Sequence, residues 1–272
     1  MIRSIAVVPA YNEEKTVVAV LDRLYGAVDD LVVVDDGSTD GTRAAIQSWL
    51  PGHERARLLW FDQNQGMSAA YYHAFAHLRE RMQAGMIDEQ DLIFTVDADG
   101  QHDLSALDQL KRAMIDQSLD ALIVRRDLST YPAYKRFGNW IMSGWASLWA
   151  GSRLWDVESG YRIFRMGALA DALRYYKGYL YSETVEVAVV LCRLGYRVRN
   201  DLLVPVPVFR SRTRLKDAAI DLIMIPSAAC RAWRRSDRFM TEGEVRSTFT
   251  VILSLVVIAW LTRALTRSAR RV

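Results

Sequence analysis

Through the first 150 residues, short apolar runs alternate with longer amphipathic stretches. The runs at 5–8, 31–34, 58–61, 92–96 and 121–124 are apolar at nearly every position. Strands buried on both faces of a parallel sheet read this way, because neither face meets water. Between them, 13–25, 41–50, 67–84, 104–117 and 135–150 have the length of crossover helices. Helix-start signals precede three of these: Asn12 before Glu13, Asp40 before Gly41 and Thr42, and Asp103 before 104. The pattern predicts an α/β fold whose strand ends carry acidic and turn residues at the carboxyl edge of the sheet, the edge at which open α/β sheets bind ligands.

Beyond residue 150 the alternation loosens. A Gly-centred turn within 156–165 precedes a strand at 161–164. A helix at 183–194 is ended by Gly195, and in the extended run 196–209 Pro205 and Pro207 favour an edge strand or loop. An amphipathic helix is predicted over 215–235, with Arg231, Arg234 and Arg235 near its end. The 16 residues between Arg246 and Arg263 carry no charge. As a helix they would span about 24 Å, short of a roughly 30 Å hydrocarbon core unless the flanking arginines snorkel. One transmembrane helix, a membrane-embedded or homo-oligomer-forming element and burial in a soluble core all stay open.

Charge sharpens this division. The chain has a net charge of +3, but residues 210–272 hold 13 Lys+Arg against 5 Asp+Glu, so the body is acidic and the tail basic. A polybasic, apolar tail suggests an anionic membrane surface; nucleic acid is a competing partner that the tail alone supports, so none is expected. Cys192 and Cys230 form no CxxC motif, which excludes a disulfide framework and fits a reducing compartment. The N-terminus reads as a first strand, without the apolar length of a secretory signal. No GxGxxG follows that strand, so an oxidoreductase reading fails. His73 and His77 lie four apart on a helix but lack an acid in register, and are expected to be ordinary helix residues.

Three clusters close predicted strands: Pro9-Ala-Tyr-Asn-Glu-Glu14, Val34-Asp-Asp-Gly-Ser-Thr-Asp-Gly-Thr42 and Asp97-Ala-Asp-Gly-Gln101. In the first, Pro9 shapes the loop, Tyr11 can pack on a base and Glu13 can accept from a ribose; the same residues also make a helix start. In the second, Asp36 can accept from a base N–H or a ribose hydroxyl, although the segment is also a simple turn. In the third, an extended backbone would turn Asp97 and Asp99 to one face with Gln101 next in register. That all-oxygen set suits Mg²⁺ or Mn²⁺ bridging a diphosphate. Alone it is as readily a set of turn acids that cap the next helix.

With Asn64-Gln-Gly-Met-Ser-Ala-Ala70 and Ser159-Gly-Tyr-Arg-Ile-Phe-Arg165, these clusters come in the order and spacing of family 2 glycosyltransferases. Residues 1–215 resemble most the branch that makes polyprenyl-phosphate sugars, typified by dolichyl-phosphate mannose synthase. The resemblance implies a GT-A fold, a Rossmann-like mixed sheet flanked by helices. A basic membrane-proximal helix at 216–245 and an apolar, basic-ended helix at 246–272 would follow. It further implies an inverting, metal-dependent transfer of a hexose from a GDP- or UDP-linked sugar to a polyprenyl phosphate at the cytoplasmic membrane face. Pro9, Tyr11, Glu13 and Asp36 fall where the family holds the nucleotide, and Asp97, Asp99 and Gln101 on its metal and diphosphate positions. Arg126, or its neighbour Arg125, and Arg136 match its acceptor-phosphate arginines; Arg210, Arg212, Arg214 and Lys216 form a further basic cluster. Many relatives have a second Gly where this chain has Ser68. Asp156 falls near the acid that serves as base toward a hydroxyl acceptor, the alternative to a lipid phosphate. An ionised phosphate needs no base, and Asp156→Asn is then expected to be milder than Asp97→Asn.

Overall fold

A computed structural model describes residues 1–178, 182–205 and 215–233, with the backbone alone at 215–219. The arginines 210, 212 and 214 and the charge-free segment 247–262 lie outside the described residues, as does the side chain of Lys216. Among the described residues no helix is long and apolar enough to cross a membrane.

The five apolar runs form β1 (Ser4–Ala10), β2 (Asp30–Asp35), β3 (Ala56–Trp60), β4 (Leu92–Thr95) and β5 (Ala121–Ile123), separated by α1 (Val17–Tyr25), α2 (Thr42–Trp49), α3 (Met67–Gln83) and α4 (Leu107–Asp116). After β6 (Arg125–Arg126) come α5 (Ala133–Ala150), β7 (Arg162–Arg165), α6 (Met166–Ala172), α7 (Glu183–Arg193), β8 (Val198–Arg199), β9 (Leu203–Val204) and α8 (Leu215–Trp233). The main sheet runs β3-β2-β1-β4-β7-β5-β8, and β6 pairs with β9 beside it. The run at 196–209 thus yields two short strands, with Pro205 directly after the second.

β7 breaks the parallel order: it lies between β4 and β5 and is antiparallel to both. The chain leaves β5 at the carboxyl edge, builds β6, α5 and a loop there, and re-enters from that same edge. Residues 156–161 are thereby delivered beside the end of β4.

Strand side chains alternate between two apolar layers. Ala6, Val8, Leu31, Val33 and Phe94 pack with α1, α2 and α4; Ile5, Val7, Val32, Val34 and Ile93 pack with α3, α6 and α7. A third cluster joins α5, α7 and α8 through Met142, Ala146, Val185, Val189, Ile225 and Ala229. Full burial of each Val, Ile, Leu, Met or Phe among them contributes about 1.5–3 kcal/mol. Pro226 inside α8 has no N–H for the Leu222 carbonyl; the Trp145 indole N–H of α5 donates to it instead at 3.1 Å.

The start signals divide. Asp103 accepts from the Ser105 N–H (3.0 Å) and caps the 3₁₀ turn Leu104–Ala106 that leads into α4, whereas Asp40, one residue before the cap position Gly41 of α2, accepts from the Thr42 N–H (3.0 Å). Asn12 does not cap. Its backbone is left-handed (φ 55°), which Asn tolerates, and α1 begins only at Val17. Its amide oxygen accepts instead from the Thr39 N–H (2.9 Å), and its own N–H donates to Ser38 Oγ (3.0 Å), tying the first cluster to the second.

Candidate active site at the carboxyl edge of the sheet

On the β1–β2 side, Pro9 is buried in β1 and Tyr11 is exposed beyond its end. Glu13 is buried; its N–H donates to Thr42 Oγ1 at 2.8 Å and its carboxylate accepts from Thr16 Oγ1 at 3.1 Å. Asp36 is also buried. One of its oxygens accepts from the Gln65 N–H (2.8 Å), the other from the Gly66 N–H (2.9 Å) and Asn64 Nδ2 (3.0 Å). The side chain read as facing a nucleotide therefore first holds the 64–66 loop in place. Burial raises its pKa, opposed by those N–H groups. Gly37 explains why this turn needs glycine: its φ is +67°, and a Cβ there would lie 2.3 Å from the Gln63 carbonyl carbon.

The third cluster departs from the extended geometry expected of it. β4 stops at Thr95, and Ala98 and Asp99 lie in a turn, so strand alternation does not set the two carboxylates. Local contacts fix them instead. Asp99 accepts from the Gln101 N–H (3.0 Å) and from the Gln101 side-chain amide. Asp97 Oδ1 accepts from the Tyr71 hydroxyl (3.3 Å), and Oδ2 is 3.4 Å from His102 Nε2. His102 stacks on Tyr161 with centroids 4.9 Å apart. Burial lowers the His102 pKa, against the pull of Asp97 and Asp99. Gly160, delivered by the reversed β7, lies against Asp97: a Cβ on it would be 2.8 Å from Oδ2.

Arg126 and Asp156 form the third part. Asp156 is 1% exposed, and its oxygens accept from Arg126 Nε and Nη2, each at 2.8 Å, and from the Arg126 N–H at 3.0 Å. Burial works against the guanidinium charge, but the Asp156 carboxylate outweighs it and raises the Arg126 pKa. Asn200 Oδ1 receives the Asp156 N–H at 2.8 Å while its Nδ2 donates to the Ile123 carbonyl at 2.9 Å, clamping that loop to β5. With both oxygens engaged by Arg126, Asp156 is the group that holds the arginine and is not open to an incoming hydroxyl. Glu158 beside it has its pKa raised by burial, against the pull of Arg126. Arg125 lies over the Trp155 ring at 4.8 Å, and Arg153 over it at 3.7 Å. Arg136, in the first turn of α5, is exposed and has no ion-pair partner among the described residues. Asp99 and Arg126 both act on His102 and on Tyr131, which places the acidic and basic parts in one electrostatic neighbourhood.

Sequence reasoning missed Tyr71, His102 and Asn200. His102 directly follows Gln101, and its adjacency was the only cue available. Tyr71 and Asn200 reach the site from 26 and 44 residues away in sequence, with no local signal. Ser68, the departure from a Gly-rich pattern, accepts the Glu183 N–H of α7 on its hydroxyl at 3.1 Å.

Among the described residues no three of His, Cys, Asp and Glu gather to hold a metal ion. Asp97 and Asp99 offer two hard carboxylates, a set that fits Mg²⁺ or Mn²⁺ completed by substrate phosphates and does not fit a closed structural site.

A family model described as glycosyl transferase family 2 matches residues 5–171. Undecaprenyl-phosphate mannosyltransferase of Micrococcus luteus is 28% identical over 207 residues, covering 72% of this chain and 80% of that protein. Glucosyl-3-phosphoglycerate synthase from Mycobacterium tuberculosis, solved with Mn²⁺, UDP and glucosyl-3-phosphoglycerate, aligns with a TM-score of 0.59 at 19% identity, over 85% of this chain and 80% of that one. A mannosyltransferase from Pyrobaculum calidifontis in complex with GDP-Man and Mn²⁺ aligns at 0.53 and 17%, over 96% and 83%. The architecture is GT-A-like, a mixed sheet flanked by helices.

Proposed function

We propose that this chain, which belongs to glycosyl transferase family 2, moves a hexose from a GDP- or UDP-linked sugar to a polyprenyl phosphate at the cytoplasmic face of a membrane, with inversion at the transferred carbon. The observation that carries the acceptor is the Arg126–Asp156 pair. A site for a hydroxyl acceptor needs an accessible base. Here Asp156, the acid that falls in the base's place, is spent on orienting an arginine, and an ionised phosphate supplies its own nucleophile. Undecaprenyl-phosphate mannosyltransferase, named for such a lipid, supports the same reading.

In this reading Pro9, Tyr11, Glu13 and Asp36 frame the nucleotide, Asp36 by fixing the 64–66 loop. Asp97 and Asp99, with Gln101 gripping the latter, would hold Mg²⁺ or Mn²⁺, which offsets the charge growing on the departing nucleoside diphosphate. Arg126 and Arg136 receive the acceptor phosphate, for which planar two-donor forks are suited. Arg210 and Arg214 add to this side by resemblance alone. Gly160→Ala tests how tightly Asp97 is held. The glycine backbone is outside the left-handed region, so the added methyl acts only by pushing the carboxylate. Turnover is expected to fall about a hundredfold, as misplacement by about 1 Å can cost that much, and a variant at the wild-type rate would show a looser site.

The membrane side is supported by α5. Its outward face carries Tyr134, Phe137 and Trp140, 71%, 61% and 70% exposed, where a surface helix in water carries polar residues. Lys135 and Arg136 flank them. Amphipathic aromatics beside cations suit the headgroup layer of an anionic bilayer.

The test uses vesicles containing polyprenyl phosphate and a panel of radiolabelled GDP- and UDP-hexoses. Label should enter the lipid extract. With Arg136→Ala the KM for polyprenyl phosphate should rise about 10–100-fold, the loss of a charge-assisted contact, while that for the nucleotide sugar stays nearly unchanged. Arg136→Lys should recover little. Label that passes to a saccharide hydroxyl and never to lipid would overturn the reading.

A further inference from the structure

The mechanism above leaves unused a buried ion pair directly behind Asp97. Arg162, the first residue of β7, pairs across the sheet with Thr95 of β4 and Ile123 of β5, so it sits mid-sheet two residues from the Asp97 turn. Its side chain is 0% exposed, and that of Glu183, the first residue of α7, is 1% exposed. Arg162 Nη2 donates to Glu183 Oε2 at 2.8 Å. Among the described residues Arg162 Nε and Nη1 make no hydrogen bond. The guanidinium carbon is 5.8 Å from the ring centroids of both Tyr71 and Phe164. Tyr71, itself fully buried on α3, donates its hydroxyl to Asp97 Oδ1 at 3.3 Å. A continuous line therefore runs from α7 through Arg162 and Tyr71 to Asp97, anchored at its far end where Ser68 receives the Glu183 N–H.

Stability is a weak reason for such a pair. Desolvating two ions costs several kcal/mol each, and well-packed apolar replacements of buried pairs are often neutral or stabilising. Two guanidinium nitrogens without a hydrogen-bond partner add to the cost. What an apolar pair would not supply is a fixed cation against the Tyr71 ring, among the carboxylates of Asp97 and Glu183.

We propose that Arg162 and Glu183 are positioning residues for Asp97: the pair fixes the Tyr71 ring, and the Tyr71 hydroxyl fixes the carboxylate that receives the divalent cation. This rests on the reading of Asp97 as a cation ligand. It concerns how the ligand is aimed, and predicts an effect on cation affinity that a purely structural pair would not have.

The experiment titrates Mn²⁺ alone into the full-length protein, with free Mn²⁺ followed by its EPR signal, for wild type, Asp97→Ala, Tyr71→Phe and the double variant Arg162→Met/Glu183→Leu. Asp97→Ala is expected to remove the binding. Tyr71→Phe, which keeps the ring and loses only the hydroxyl, should weaken it about tenfold, the usual effect of an outer-shell partner, with an unchanged thermal midpoint. In transfer assays Tyr71→Phe should raise the Mn²⁺ concentration needed for half-maximal rate, and saturating Mn²⁺ should restore kcat. The double variant should bind Mn²⁺ as weakly while keeping its circular dichroism; should it fail to fold, Tyr71→Phe decides. Wild-type affinity in Tyr71→Phe, with binding lost in Asp97→Ala, overturns the positioning role and leaves the metal reading standing. Wild-type affinity in Asp97→Ala overturns both.

Discussion

Asp97→Ala is expected to lower sugar transfer about a thousandfold while leaving the fold intact. The magnitude follows from what the carboxylate is asked to do. A divalent cation at a departing diphosphate stabilises several kcal/mol of transition-state charge, and each 1.36 kcal/mol is a factor of ten in rate. The fold should survive because the Asp97 side chain is 27% exposed, and losing its contacts with the Tyr71 hydroxyl and His102 removes no part of the apolar core that packs the helices on the sheet. Its removal also leaves Arg162 and Glu183 paired with each other. Initial rates across a Mn²⁺ titration, with the thermal midpoint measured in parallel, check both halves of the expectation. Wild-type activity that persists in excess chelator would refute the metal role.

How much of this was legible in the sequence depended on how local the cause was. Four of the five parallel strands were readable because burial on both faces writes an apolar run; β3, at the sheet edge, carries a similar run although it is only partly buried. The direction of β7 was not readable, since a strand as short as Arg162–Arg165 looks the same in either orientation and only the returning loop decides it. Asp97 and Asp99 were found as a motif, but the strand-alternation argument for their convergence failed. Gln101, Tyr71 and His102 fix those carboxylates, and two of the three contacts were absent from that argument. Asp36 was identified as a site residue, yet its grip on residues 64–66 spans 28 to 30 positions and leaves no periodic trace. The exposed aromatics of α5 were visible as letters only; their outward direction needed α7 and α8 to occupy the other face.

The same long-range blindness hides what Asp156 does. The sequence made Asp156→Asn the mild substitution on the ground that a phosphate acceptor needs no base. In the proposed reading no base is needed, and the structure gives Asp156 another task. It is buried, it holds Arg126 through two side-chain contacts of 2.8 Å, and its loop is clamped to β5 by Asn200. Removing one member of such a pair leaves a partly desolvated charge without its partner, and Asp156→Ala should cost about 1–3 kcal/mol in unfolding free energy. Asp156→Asn keeps one acceptor and should cost less, yet it frees Arg126 to shift, and a displacement near 1 Å at a phosphate-binding arginine can lower turnover about a hundredfold. The pH profile separates the two explanations. Loss of a positioning group lowers the whole profile without changing its shape, whereas loss of a general base removes its acidic limb. A second variant separates activity from stability: Arg126→Met/Asp156→Leu takes away both charges, so urea unfolding should show most of the lost stability regained while transfer to polyprenyl phosphate stays low. Recovery of transfer in that double variant would mean that Arg126 does not bind the acceptor. An Asp156→Asn profile stripped of its acidic limb, with the KM for polyprenyl phosphate unchanged, would mean that the acceptor is a hydroxyl.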